Sequence, residues 1–133
     1  SFFIPLFGNG LSKFQPVFID DLTLAISHLI ESAVLKHQLY ELVGEEIFTY
    51  RSFYNFLSEC IEKKRILLTV PLSLVKLGVS ILDKISMSPL NLEQLKLFES
   101  DNICSNNYKK FNDLEISPQD LREIIKKIVK KNL

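Results

Sequence analysis

Apolar residues recur at helical spacing in four stretches of the chain, and each stretch has a recognisable start. Leu22, Ala25, Ile26, Leu29 and Ala33 share one face behind Asp20-Asp21, an acidic pair placed where an N-cap would stand. Phe53, Phe56, Leu57, Cys60 and Ile61 form a core-facing stripe behind Thr49, a second N-cap, and Lys63-Lys64-Arg65 close that helix at the end its dipole favours. Asn91-x-x-Gln94 has the form of a capping box and opens a helix through Leu92, Leu95, Leu97 and Phe98, ended by Asp101-Asn102. Ser117-Pro118-Gln119-Asp120 supplies a cap, a proline in the first turn and an early acid for a last helix with the stripe Leu121, Ile124, Ile125 and Ile128.

A further helix, from Pro71 to about Ser86, has a different pattern. Ser73, Lys76, Ser80, Asp83 and Lys84 make one narrow polar stripe, while Leu72, Leu74, Val75, Leu77, Val79, Ile81, Leu82 and Ile85 cover most of the rest. So wide an apolar surface predicts burial on several sides. At ~1.5 Å per residue the helix is about 22 Å long, too short to cross a bilayer comfortably.

Between the helices lie short apolar runs. Gln15-Pro16-Val17-Phe18-Ile19 predicts a brief buried strand, Leu39-Tyr40-Glu41-Leu42-Val43 a second one ending at Gly44 with an extended piece at Ile47 and Phe48, and Arg65 to Val70 a third. Gly8-Asn9-Gly10 marks a loop after the run Phe2 to Phe7, and Asn102 to Asn112 is a polar stretch. The sum is an α+β (mixed α/β) fold of short strands with four to five helices, forming a single domain over 1–133.

Composition agrees with a packed core: 133 residues, 47% hydrophobic and 24% charged. Sixteen basic groups balance sixteen acidic ones, which argues against nucleic acid as a partner. The balance is uneven along the chain. Residues 1–60 carry three basic and seven acidic groups, residues 61–133 thirteen and nine. Lys126, Lys127, Lys130 and Lys131 account for much of the positive half and suit a helix C-terminus. Cys60 and Cys104 have neither disulfide-framework nor zinc spacing, so reduced thiols in an intracellular protein are expected. No run of 18 apolar residues occurs and no signal peptide is visible, so no transmembrane segment is expected. The apolar start without an initiating Met leads us to expect a fragment of a longer protein.

The candidate chemistry is sparse. Gly8-Asn9-Gly10 lacks the third glycine and following helix of a dinucleotide loop and reads as a turn needing positive φ. His28 and His37 have no ligand or nucleophile partner at a motif spacing, and Asp20-Asp21 reads as a cap rather than an acid–base pair. Tyr40, Tyr50, Tyr54 and Tyr108 each lack a lysine four residues on, and the ten phenylalanines read as core. From the residues alone we expect no catalytic residue, no metal site and no cofactor bound by this chain.

One ordered series of motifs goes further: Pro5-x-x-Gly8-x-Gly10, Gln15-Pro16-Val17-x-Ile19-x-Asp21-Leu22-x-x-Ala25, Tyr40-Glu41-Leu42-Val43-Gly44, Phe48-Thr49-Tyr50, Val70-Pro71, and Pro89-Leu90-x-x-Glu93-Gln94-x-x-Leu97-x-x-Ser100-Asp101-Asn102. It resembles the C-terminal part of the extended and atypical short-chain dehydrogenase/reductases, the NAD-dependent epimerase/dehydratase superfamily. The nearest branch is that of the dinucleotide-binding accessory subunit of respiratory complex I, the NADH:ubiquinone oxidoreductase. The resemblance implies a small substrate-side lobe that closes over NAD(P) held by a missing N-terminal Rossmann domain. Gly8, Gly10, Lys13, Phe14 and Gln15 would then form a substrate-side loop, with that loop and the Asp20-Asp21 turn facing the cofactor domain.

NAD(P) is implied for the parent protein only, because neither the glycine fingerprint nor Tyr-x-x-x-Lys is present here. Sugar-nucleotide epimerases of the superfamily place an arginine where this chain has Phe14, so a phosphate clamp is absent and a sugar-nucleotide substrate is the lesser alternative. Helix 72–85 would dock on the Rossmann domain, on a protein complex, on a second copy or, least favoured, shallowly on a membrane, and a non-catalytic structural assembly module docking through it is the other alternative. The implied location is cytoplasmic, or peripheral at the inner face of a respiratory membrane.

Overall fold

The computed structural model of the chain describes residues 3–32, 38–83 and 92–132. In chain order the elements are β1 (Phe3–Phe7), β2 (Lys13–Phe14), α1 (Ile19–Glu31), β3 (Phe48–Thr49), α2 (Tyr50–Cys60), β4 (Ile66–Val70), α3 (Leu72–Asp83), α4 (Leu92–Lys96), a 3-10 turn (Phe111–Leu114) and α5 (Leu121–Asn132). Five α-helices and short strands among the described residues match the mixed α/β class read from the sequence. The chain forms two units, one of residues 1–14 and 48–102, the other of residues 15–47 and 103–133.

In the first unit the run Phe3–Phe7, which local pattern left as the approach to a loop, is a strand. Its partner is distant in sequence: β1 pairs in parallel with β4, Phe3 opposite Ile66 and Phe7 opposite Val70. β2 and β3 pair antiparallel, Lys13 with Thr49 and Phe14 with Phe48. Leu6, Phe48, Phe56, Val79 and Leu95 are buried.

Thr49 caps α2 as predicted. Its hydroxyl accepts from the Ser52 N–H at 3.0 Å, and the Ser52 hydroxyl accepts from the Thr49 N–H at 3.0 Å, a reciprocal box. Thr49→Ala is expected to lower the stability of this unit by ~1 kcal/mol, read as a shift of the urea midpoint. Thr49→Ser should keep most of that stability, since a hydroxyl alone is required.

Helix α3 follows Pro71, whose carbonyl accepts from the Leu74 and Val75 N–H groups. Its wide apolar surface is only partly covered: Val79 is buried, while Leu74, Leu77 and Ile81 stand exposed at helical spacing. Lys84, Ile85 and the predicted cap Asn91 lie outside the described residues.

In the second unit Ala25 of α1 packs with Phe111, Leu114 and Ile116, and Val17, Leu29, Tyr40 and Leu42 close the cluster. Three expectations are corrected here. Residues 15–18 form no strand, and Ile19 already belongs to α1. Pro16 has no N–H for a ladder, and the Gln15 amide bonds the Gly44 carbonyl and the Cys104 N–H instead.

Leu39 to Val43 is likewise no strand: a single parallel bridge joins Tyr40 to Lys109, with the Glu41 N–H on the Lys109 carbonyl at 2.8 Å. The helix caps also move. Phe18 is the N-cap of α1 and makes no side-chain bond, while Asp20 and Asp21 sit in the first turn. Asp21 is 5% exposed and accepts from the backbone N–H and the side-chain amide of Gln119, at 2.9 and 3.0 Å. It therefore ties the segment ahead of α5 to α1 rather than capping a helix. At α5, Asp120 rather than Ser117 takes the capping role, accepting from the Arg122 N–H at 2.8 Å.

Candidate functional site

The loop after β1, residues 8–14, is built on two glycines and the start of a helix. Gly8 and Gly10 have φ of 66° and 70°. At Gly10 a side chain is also excluded by space, because a Cβ would lie 2.4 Å from the Leu6 side chain. Between them the Asn9 side-chain oxygen accepts from the Leu11 N–H at 2.9 Å, a local turn.

Loop carbonyls then take up N–H groups from the first turn of α2, which have no partner within a helix. The Arg51 N–H donates to the Gly10 carbonyl at 3.0 Å and the Tyr50 N–H to the Ser12 carbonyl at 3.3 Å. Arg51 acts twice: its guanidinium donates to the Asn9 carbonyl at 3.1 Å and to the Thr69 hydroxyl at 3.2 Å, joining the loop to β4. Sequence reading missed Arg51. The signal was an arginine two residues behind the Thr49 N-cap, and it carries meaning only once the distant loop is known to be its neighbour.

Of the residues named for this loop, Gly8, Gly10, Lys13 and Phe14 lie together in the first unit and Gln15 lies in the second. The Lys13 side chain is exposed, and its N–H donates to Asp101 at 2.8 Å. Phe14 belongs to an aromatic cluster: its ring lies 4.7 Å from Tyr50, 5.3 Å from Phe53 and 6.3 Å from Phe48. Burial of the Tyr50 phenol, and Tyr54 nearby, push its pKa upward. Beside the loop, Asn9, Ser12, Leu72, Phe98, Glu99 and Asp101 line an open depression of about 460 Å³. The loop thus offers backbone shape and the exposed cation of Lys13, with the Arg51 guanidinium bonded to its Asn9 carbonyl.

In the second unit Gln15 lines a smaller cavity of about 230 Å³ with Val43, Gly44, Lys110 and Phe111. Close by, Glu41 organises the turn after Ile103. Its carboxylate accepts from the Cys104 thiol at 3.0 Å, from the Ser105 N–H at 3.0 Å and from the Asn106 N–H at 3.1 Å. The Cys104 bond first, and those from Ser105 and Asn106 after it, pull the Glu41 pKa from 4.5 to about 2.

The consequence for pH follows from the sign of that shift. The folded form holds Glu41 ionised more firmly than the unfolded chain does, so the stabilisation is complete above pH 4.5 and is lost as the pH falls towards 2. Amide exchange at Ser105 and Asn106 should show protection that fades in this window in the native protein and is already weak at neutral pH in Glu41→Gln.

The remaining candidates are scattered. His28 is exposed near the end of α1, Asp20 is exposed, Cys60 is half-buried in α2, and His37 lies outside the described residues. Among the described residues no group of His, Cys, Asp and Glu is placed to hold a metal ion. No helix of the described residues is long and apolar enough to cross a membrane.

No family model matches the chain. Over an alignment of 130 residues that covers 90% of the chain it is 29% identical to the protein named NADH dehydrogenase [ubiquinone] 1 alpha subcomplex subunit 9, mitochondrial, of Arabidopsis thaliana. The solved structure of triphenylmethane reductase from Citrobacter sp. superposes on 95% of the chain with a TM-score of 0.63 at 19% identity, a likeness of fold. The chain spans 32% of the curated relative and 44% of the solved reductase chain. The resemblance read from the motif series, to the complex I related branch of the dehydrogenase/reductases, is borne out, and the similarity is to an oxidoreductase-related family.

Proposed function

We propose that these 133 residues act as the C-terminal substrate-side lobe of a longer NAD(P)-binding, oxidoreductase-like protein, and that the lobe is inactive alone. The observation that carries this is the match over 130 residues to a named complex I subunit, which it spans only in part. The site geometry supports it. Backbone and aromatic packing fix the Gly8–Phe14 loop in place, as a pocket wall requires, while its side chains supply no proton-transfer pair. In this reading NAD(P) is held by the parent's other domain, the loop forms one wall of the pocket, and the protein is peripheral at the inner face of a respiratory membrane.

A second reading is favoured by one feature of α3. Leu74, Leu77 and Ile81 are 61%, 59% and 57% exposed on a helix whose Val79 is buried, as suits an assembly module that docks on a larger complex and has lost hydride chemistry.

The parent reading frame separates the two. A glycine-rich strand-to-helix turn together with Tyr-x-x-x-Lys is expected of an enzyme, and the turn without the pair of an assembly subunit. Absence of both overturns the proposal. In either case the isolated chain should not oxidise NAD(P)H with carbonyl or quinone acceptors, and turnover by the chain alone would contradict the lobe assignment.

A further inference from the structure

Alternate residues of a strand point to opposite faces, and register partners in a parallel pair share a face. The register of β1 on β4 therefore places Phe3, Pro5, Phe7, Ile66, Leu68 and Val70 on one face and Ile4, Leu6, Leu67 and Thr69 on the other. The second face is covered: Leu6 is 1% exposed, and Ile4 and Leu67 are half-buried. The first is open over Pro5, Ile66 and Leu68, with Ile66 48% and Leu68 55% exposed and Pro5 exposed opposite Leu68, while Phe7 and Val70 at its other end are half-buried. Parallel sheets are found with both faces covered, because their strands present apolar residues on each side, and two strands alone make a weak sheet. Among the described residues Phe98 covers the Phe7 end, its ring 5.2 Å away, while Pro5, Ile66 and Leu68 stay exposed. The relatives are long enough to cover these three, since the chain spans only 32% of one and 44% of the other.

We propose that the Pro5, Ile66 and Leu68 face is the docking face for the cofactor-domain part of the same longer polypeptide, which lays an apolar helix across it and completes a sheet covered on both sides. The inference rests on the parent reading above. It assigns that contact to the sheet and not to α3, and so leaves Leu74, Leu77 and Ile81 for a separate partner.

The test is thiol labelling of the full-length parent carrying Leu68→Cys or Leu77→Cys, with the modified peptides quantified by mass spectrometry. In the chain itself the two positions are equally open, 55% and 59% exposed. In the parent, Leu68→Cys should react at least about tenfold more slowly than Leu77→Cys, its modification requiring local opening. Ile66→Cys repeats the test should Leu68→Cys fail to fold. Equal rates at 68 and 77 overturn the inference, and so does protection that rises with protein concentration, which would assign the face to a second copy. Titration of NAD(P) into the same parent tests the underlying reading independently. A protected face without cofactor binding removes that reading and keeps the interface, and an open face with cofactor binding does the reverse.

Discussion

Phe48→Ala is expected to lower the stability of the first unit by about 3–5 kcal/mol, the range for removing a fully buried phenyl ring. Phe48 is 1% exposed and central to the aromatic cluster, its ring 5.3 Å from Phe53, 6.3 Å from Phe14 and 6.5 Å from Phe56. Its backbone pairs with Phe14, so the same residue joins the loop of residues 8–14 to α2. A cavity there removes packing from three neighbouring rings. Urea titration followed by far-UV circular dichroism should show a much lower midpoint, with near-UV signals from the tyrosines weakened. Leu11→Ala, at a position 56% exposed, is the control and should stay within about 0.5 kcal/mol of the parent sequence. An unchanged midpoint for Phe48→Ala would mean that the cluster is not the core of this unit.

The second large effect is expected at Gly44. A Cβ there would sit 2.0 Å from the Pro16 carbonyl oxygen, a backbone atom that cannot turn aside as a side chain can. The Gln15 amide binds the Gly44 carbonyl at 2.7 Å, holding the two segments together at that point. Gly44→Ala must push them apart and should cost about 3 kcal/mol, in the upper range for overpacking. Gly78→Ala supplies the contrast. Nothing lies within 4 Å of a Cβ at that position in α3, and exchanging glycine for alanine in a helix should stabilise by roughly 0.5–1 kcal/mol. Opposite signs at the two glycines, read from the same urea titrations, are the expected result. A neutral Gly44→Ala would show that residues 16 and 44 do not approach as described.

What could be read from the sequence was local. The α2 stripe and its Thr49 cap, the strand at residues 66–70, and the helices at α1 and α5 all follow from spacing within one turn or from a neighbour three residues away. What could not be read depended on distant partners. Phe3–Phe7 becomes a strand because residue 66 and its neighbours pair with it, and the run carries no signal for that pairing on its own. Gln15-Pro16-Val17-Phe18-Ile19 has the pattern of a short strand, yet Ile19 opens α1, the partners of Gln15 are Gly44 and Cys104, and no ladder forms. Asp21 has the identity of a cap, but it stands in the first turn of α1 and Gln119 claims both its oxygens. Arg51, which holds the candidate loop, was invisible for the same reason. The family resemblance needed only the order of the motifs and none of these contacts.

The central claim, that this chain is a lobe completing a pocket whose cofactor is held elsewhere in a longer protein, is tested most directly by calorimetric titration of NADH and NADPH into two samples: the 133-residue chain and its full-length parent. The account predicts saturable binding of at least one of them by the parent and none by the chain. Binding by the chain alone, or by neither protein, would contradict it.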